Sequence, residues 1–146
     1  MIMVRPYYLL DTNVISEPAK LFPAKNVLDK IKIYAPYSAI PAIAWYEALY
    51  GMKRLADGRK KDFYFKYLYT HVQVTYPIIP FDDHAAFIAS DLSSRLEPKG
   101  IVVPSMDLLI AATAVANNMI LVTRNVKDFH AIQEVSPLMV ESWWSK

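Results

Sequence analysis

LLDTNVIS, Leu9 to Ser16, is the stretch from which the rest of the chain can be read. Tyr7 to Leu10 is a short apolar and aromatic run of the kind that forms a buried strand. It stops at Asp11, whose carboxylate cannot share that burial without a partner. The acid therefore belongs at the strand's carboxyl end. Thr12 and Asn13 can bond nearby backbone and open a turn, and Val14, Ile15 and the breaker Pro18 leave room for only a short helical turn. In open α/β sheets ligands bind in the crevice beyond the strand ends, which makes Asp11 a candidate site acid. It could equally be a cap for the next helix, and the motif alone does not separate the two readings.

The remainder of the chain sets the bounds. A length of 146 residues, 54% of them hydrophobic, fits one globular domain spanning 1–146 with a sizeable core. No apolar run reaches bilayer length and the start MIMVRPYYLLD lacks the layout of a secretory signal, so a cytoplasmic protein without a membrane partner is expected. The absence of cysteine agrees with a reducing compartment and leaves only oxygen or imidazole to hold a metal. A formal charge of +2 is too small to name a nucleic-acid ligand, so the placement of the cations matters more than their sum.

Past the opening motif, Val27, Leu28, Ile31 and Tyr34 recur at helical spacing and predict a helix from about Pro23 to Tyr34. Pro36 to Ile40 suits an extended segment, and Pro41 suits the first position of a helix running through Ala56. In that helix Glu47 stands among Ala44, Trp45, Tyr46, Ala48 and Leu49, where a glutamate needs a cation or hydrogen-bond partner to stay ionised. Gly51 costs about 1 kcal/mol relative to alanine in a helix interior, which suggests the close approach of another backbone.

Asp57 and Gly58 then separate two helices, the second with Phe63, Tyr64, Tyr67 and Leu68 as its apolar stripe. Lys53, Arg54, Arg59, Lys60, Lys61 and Lys66 form the densest basic cluster. Its plain reading is a solvated hairpin tip, and it is also the first patch to test should the protein act on nucleic acid. Val72 to Ile79 reads as a short edge strand, broken by Pro77 and Pro80. Asp82 or Asp83 should cap a helix that turns Ala85, Ala86, Ala89, Leu92 and Leu96 to the core and ends at Pro98 and Gly100, with Asp91 structural on its polar side.

In GIVVPSMDLLIAATAVANNMILVTRN, Ser105 can cap a helix whose interior, Leu108 to Ala116, is small and apolar. Asp107 falls in its first turn, where the dipole and free amides favour a carboxylate. Ile120 to Val122 forms a second buried strand followed by Thr123, Arg124 and Asn125, which repeats the layout of the opening motif and suggests one crevice served by two strands. Val126 to Ile132 should pack Phe129 inward, PLMVESWW offers a last edge strand, and Trp143 and Trp144 should cover a core or interface. His71, His84 and His130 lack metal-ligand spacing and read as structural or solvated.

Asp11, Glu47 and Asp107 come from distant parts of the chain, each at an element end or on a face aimed at the core. Carboxylates gather unfavourably unless a cation neutralises them, and an oxygen-only set suits Mg²⁺ or Mn²⁺. A metal-held water is easily deprotonated and can attack phosphorus in line with the leaving oxygen, which is phosphodiester hydrolysis.

The segments LLDTNVISE, IPAIAWYEALYG and DLLIAATAVANNMILVTRNVKDF, in that order, resemble PIN-domain ribonucleases and within them the VapC toxins of toxin–antitoxin pairs. The likeness covers nearly the whole chain. It implies an α/β/α three-layer sandwich on a mainly parallel sheet and Mg²⁺-dependent RNA cleavage, with Mn²⁺ as a substitute and tRNA or rRNA as usual targets. It also implies a homodimer and inhibition by a small DNA-binding antitoxin of the VapB type. The family's three acidic metal ligands fall on Asp11, Glu47 and Asp107. Where the family often has a fourth acid this sequence has Asn125, followed by Asp128, which leaves a second metal in question. Asn125 can still orient a water or ligand, and Asp128, Thr12, Asn13 and Thr123 are candidates for ordering the site. Arg124, Arg59, Lys60 and Lys61 are candidates for touching RNA.

Rival readings fare worse. A dehalogenase-type phosphotransferase needs an aspartate where Asn13 stands, and a receiver domain needs a lysine after a late strand, where Thr123-Arg124-Asn125 supplies none. A PIN-fold module that binds RNA or protein without cutting is the remaining alternative. A retained acid triad argues against it, because unused clustered carboxylates only destabilise.

Overall fold

Five short strands form the centre of a computed structural model that describes residues 6–144. β1 (Tyr8–Leu10), β2 (Ser38–Pro41), β3 (Ile78–Ile79), β4 (Ile120–Val122) and β5 (Met139–Glu141) lie in the order β3-β2-β1-β4-β5, with every pair parallel. Parallel strands are covered on both faces and so read as unbroken apolar runs rather than alternating ones. Leu9, Leu10, Ala39, Ile40, Leu121 and Val122 are accordingly all buried. Around them stand α1 (Thr12–Ser16), α2 (Lys25–Tyr34), α3 (Ala42–Lys53), α4 (Arg59–Tyr67), α5 (Gln73–Thr75), α6 (Asp83–Leu96), α7 (Ser105–Ala116) and α8 (His130–Val135), giving the three-layer α/β/α sandwich.

From the central strand β1 the chain moves outward through β2 and β3, then returns to the other side of β1 for β4 and β5. The order therefore reverses between β1 and β4, and the crevice beyond their carboxyl ends is where this topology leaves room for a ligand. The two ends are tied together, because the Asp11 amide donates to the Val122 carbonyl at 2.9 Å.

Local differences from the sequence reading have physical causes. Pro41 is not inside the helix; its backbone is extended, at φ −75° and ψ 146°, and it closes β2 opposite Ile79 before α3 starts at Ala42. Lacking an amide proton, proline suits a strand end next to a helix start as well as a first helical turn. α3 ends at Lys53, short of Ala56, where a tight turn from the Leu55 amide to the Met52 carbonyl precedes Gly58 at φ 151°.

Val72 to Thr75 is helical rather than extended: a wide turn over Leu68–Val72 leads into α5, and only Ile78–Ile79 pair in the sheet. Leu68, Val72 and Tyr76, four residues apart, are all buried, so helical packing overrides the β-branched preference. Ser105 is the first residue of α7, not its cap; Pro104 precedes the helix and its carbonyl accepts from the Leu108 amide at 3.1 Å. Asp82 caps α6 as expected, accepting from the Ala85 amide at 2.9 Å, and Ala85, Ala89, Leu92 and Leu96 face the core while Ala86 faces solvent. Asp91 pairs with Arg95 at 2.9 Å on the outer side.

Among the described residues no helix is long and apolar enough to cross a membrane. The tail closes the core. Trp143 is fully buried, its ring 5.5 Å from that of Tyr8 and 5.7 Å from that of Tyr34, and its indole N–H donates to Glu141 at 2.9 Å. Trp143→Ala should therefore cost about 3–5 kcal/mol in urea unfolding. Trp144→Ala, at a half-buried position, should cost well under half as much.

Candidate active site

β1 delivers Asp11 to the crevice, and local chemistry fixes how it sits. It is 7% exposed, and its Oδ1 accepts from the Thr12 amide at 2.7 Å, so it caps α1. Its Oδ2 accepts from the Thr123 hydroxyl at 2.9 Å and lies 3.5 Å from the Asn13 amide nitrogen. One oxygen of this carboxylate thus caps α1, and the other ties the end of β1 to the end of β4 through Thr123. Asn13 bridges the two strand ends, donating to Thr123 Oγ1 at 3.2 Å and accepting from the Arg124 amide at 3.1 Å. The Asn125 amide also donates to Thr123 Oγ1 at 3.2 Å.

α3 brings Glu47 to the same edge. Its Oε1 accepts from the Thr12 hydroxyl at 2.6 Å, a contact across 35 residues that supplies the partner this half-buried glutamate needs. Asp107 enters from the first turn of α7. Burial, then the charges of Asp11, Asp128 and Glu47, push its carboxyl up to about 6. Asp11 is raised as well, chiefly by burial and further by Glu47 and Asp128, against the lowering effect of the Thr123 and Thr12 bonds. Glu47 on α3 and Asp128 in the turn before α8 therefore lie close enough to bear on Asp11 and Asp107 at the carboxyl edge of the sheet.

The charges that bear on Asp107 are all negative. An oxygen-only acidic set of this kind suits a hard divalent cation. No three His, Cys, Asp or Glu side chains among the described residues are posed to hold an ion directly, however. Glu47 is drawn to Thr12, and Asp11 to Thr12 and Thr123.

The other candidates are placed as follows. Asp128, in the short helical turn Val126–Phe129 after β4, contributes charge to both Asp11 and Asp107, whereas Asn125 acts through its backbone, its carbonyl accepting from the Asp128 amide at 3.0 Å. The Arg124 guanidinium lies 5.5 Å from the Trp144 ring. Arg59 and Lys60 are exposed at the start of α4, and Lys61 is spent on the hairpin turn, donating to Asp57 and to the Lys53 carbonyl. His71, His84 and His130 are exposed, and His71 stacks on Tyr67.

Two features escaped the sequence reading. Glu17 is buried, its Oε1 paired with Lys20 at 2.9 Å and its Oε2 accepting from the Ala24 amide at 2.8 Å. These partners hold its carboxyl below the usual range despite burial, and they fix the loop after α1. An acid followed by lysine three residues later was the available signal. The second is a hollow of about 800 Å³ between that loop and the α3–α4 hairpin, bordered by Leu21, Gly51, Leu55, Phe63 and Tyr64. Gly51 faces it and no other backbone approaches, since a Cβ there would meet nothing within 4 Å. The expected close contact is absent because the space beside Gly51 is open.

Known proteins share this fold. The sequence matches the PIN domain family over residues 8–135. It is 30% identical over 141 residues to Ribonuclease VapC2 of Rickettsia felis, covering 93% of this chain and 97% of that protein. Among solved structures, FitAcB from Neisseria gonorrhoeae superposes with a TM-score of 0.85 at 29% identity, over 95% of this chain and 99% of that one. VapBC2 from Rickettsia felis, bound to a DNA fragment from their promoter, gives 0.79 at 28% identity, over 94% and 99%.

The raised carboxyls have a measurable consequence for the metal-free protein. A carboxyl that holds its proton more tightly when folded contributes stability below the ordinary value of 3.8 and loses it as pH rises through about 6. In EDTA the melting temperature should fall between pH 5 and pH 7.5, and Asp107→Asn should flatten that fall. An equal or steeper fall in the variant would mean that Asp107 does not feel the other acids.

Proposed function

The chain belongs to the PIN-domain family, and we propose that it is a VapC-type endoribonuclease toxin that hydrolyses RNA phosphodiester bonds, with tRNA or rRNA as target. The observation that carries this reading is the gathering of acids at the crevice between β1 and β4, where Glu47 and Asp11 are held by the same Thr12 and the charges of Glu47 and Asp128 bear on Asp11 and Asp107. The naming of a relative that matches over 93% of this chain as a ribonuclease supports it independently.

The residues that would hold a divalent ion, Mg²⁺ with Mn²⁺ as substitute, are Asp11, Glu47 and Asp107, some of them through water. Such an ion supplies positive charge for the phosphate oxygens and lowers the pKa of a water. The chain's own contribution is to prepare the acids. Thr12 holds the Glu47 carboxylate, Thr123 and Asn13 hold Asp11, and the first turn of α7 brings Asp107 to the same edge. Asp128 adds negative charge beside Asp107, and Asn125, which stands where the family often has a fourth acid, sets the turn that carries it. Arg59 and Lys60, and more weakly Lys61, would attract the RNA backbone toward this edge, and Arg124 would do the same beside Trp144.

The partner in this reading is a VapB-type antitoxin, and the active species is a homodimer in the cytoplasm. The solved relatives FitAcB and VapBC2 support the pairing. The apolar hollow bordered by Leu21, Leu55 and Phe63 offers the antitoxin a seat next to α3.

Incubating the protein with total tRNA should give discrete fragments with Mg²⁺ and none with EDTA. Asp107→Asn should reduce cleavage by about a hundredfold or more while leaving the metal-free protein at least as stable, and Thr12→Val, which frees Glu47, should cost about 10–100-fold. Full activity in Asp107→Asn would end the metal-nuclease reading in favour of a module that binds without cutting. Neutralising Arg59, Lys60 and Lys61 together should weaken RNA binding and flatten its salt dependence. Unchanged binding would leave that cluster as a solvated hairpin tip.

A further inference from the structure

α3 carries a second pattern that the acid site does not use. Tyr46 and Tyr50, one turn apart, are 53% and 52% exposed although both are large aromatics. Their rings are parallel to within 2° with centroids 6.0 Å apart, and the Arg54 guanidinium, one turn further, lies 5.1 Å from the centre of the Tyr50 ring. The three form a continuous exposed stripe of flat side-chain groups along α3. It begins at the residue next to Glu47, and Lys53 is exposed beside its far end.

We propose that Tyr46, Tyr50 and Arg54 form a stacking ladder that seats the bases of single-stranded RNA alongside the Glu47 edge of the acid site. This rests on the ribonuclease reading and deepens it, since it names the side chains that grip the RNA. Exposed aromatic and guanidinium faces are what unpaired bases stack on, without demand for sequence, while a duplex keeps its faces to itself. A strand lying on the ladder would also bring phosphates to Lys53 and Arg54, so bases and backbone are answered together. A purely apolar protein segment would leave those cations and the tyrosine hydroxyls unmatched. The ladder also explains why α3 leaves two tyrosines in solvent when its neighbours Ala44, Ala48 and Met52 are buried.

The test uses the full chain carrying Asp107→Asn with Mg²⁺ present, so that bound RNA is not consumed. Its probes are fluorescent oligo(A) and an RNA duplex of equal length. Tyr46→Ala with Tyr50→Ala should weaken oligo(A) binding at least about fivefold for each ring removed, with duplex binding and melting temperature nearly unchanged. Tyr46→Phe with Tyr50→Phe should retain most of the oligo(A) affinity. Undiminished oligo(A) binding by the alanine pair, or an equal loss for oligo(A) and duplex, would overturn the ladder. So would an alanine pair that binds RNA normally but no longer binds the cognate antitoxin, because the face would then belong to a protein. Cleavage of total tRNA by the unmodified chain is scored separately. Ladder-dependent binding without cleavage would retain the ladder and remove the nuclease, whereas cleavage with ladder-independent binding would do the reverse.

Discussion

Like charges held close at the end of a buried sheet are what the rest of the structure has to accommodate. Burial and three neighbouring carboxylates push Asp107 up to about 6, and Asp11, more deeply buried, is raised for the same reasons. Such a cluster opposes folding unless local donors hold it. Two threonines provide that hold. Thr12 gives its amide to Asp11 and its hydroxyl to Glu47, and Thr123 gives its hydroxyl to Asp11 while accepting from Asn13 and from the Asn125 amide. The donors are short side chains at strand ends, where the backbone is already fixed, so little further conformational entropy is lost in holding the acids.

The topology places these donors. Because the strand order reverses at β1, the loops leaving β1 and β4 meet over neighbouring strand ends, and the Asp11 amide bonded to Val122 sets their register. A slip of one residue between these strands would turn Asp11 away from Thr123 and leave it buried without its partner. The parallel pairing of Leu9 with Leu121 and Leu10 with Val122 resists that slip through packing on both faces. Core and site are therefore coupled: the apolar register that buries the leucines also aligns the polar ends.

How far this could be read from sequence depended on whether a signal was local. The run into Asp11, the first-turn position of Asp107 and the repeat of apolar strand plus polar end at Val122 to Asn125 are local, and each places its residue at the edge where it is found. The Thr12 to Glu47 bond spans 35 residues, and no pattern within either segment discloses it. Gly51 was misread because a helix glycine signals missing bulk without saying whether backbone or open space fills the gap; here it is space. Val72 to Thr75 was misread because β-branched residues favour strands only where packing does not choose otherwise, and Leu68, Val72 and Tyr76 choose a helix. The pairing of Glu17 with Lys20 and Ala24 went unread because an acid next to a proline in a loop looks solvated until the chain folds over it.

α3 shows how one helix can separate these demands. Ala44, Ala48 and Met52, at spacings of four, turn a narrow apolar stripe inward. Glu47, about 60° around the helix from Ala44 and about 100° from Ala48, meets α1 through Thr12, while Tyr46, Tyr50 and Arg54 occupy a stripe that stays in solvent. Gly51, one turn past Glu47, opens the helix toward the hollow instead of filling it. Filling that position with a larger residue would cost no backbone contact and would spare the helix the roughly 1 kcal/mol that glycine forfeits. A helix that gives up stability in this way at the border of an apolar hollow, one turn from an acid, is shaped for what it must accommodate as well as for its own folding.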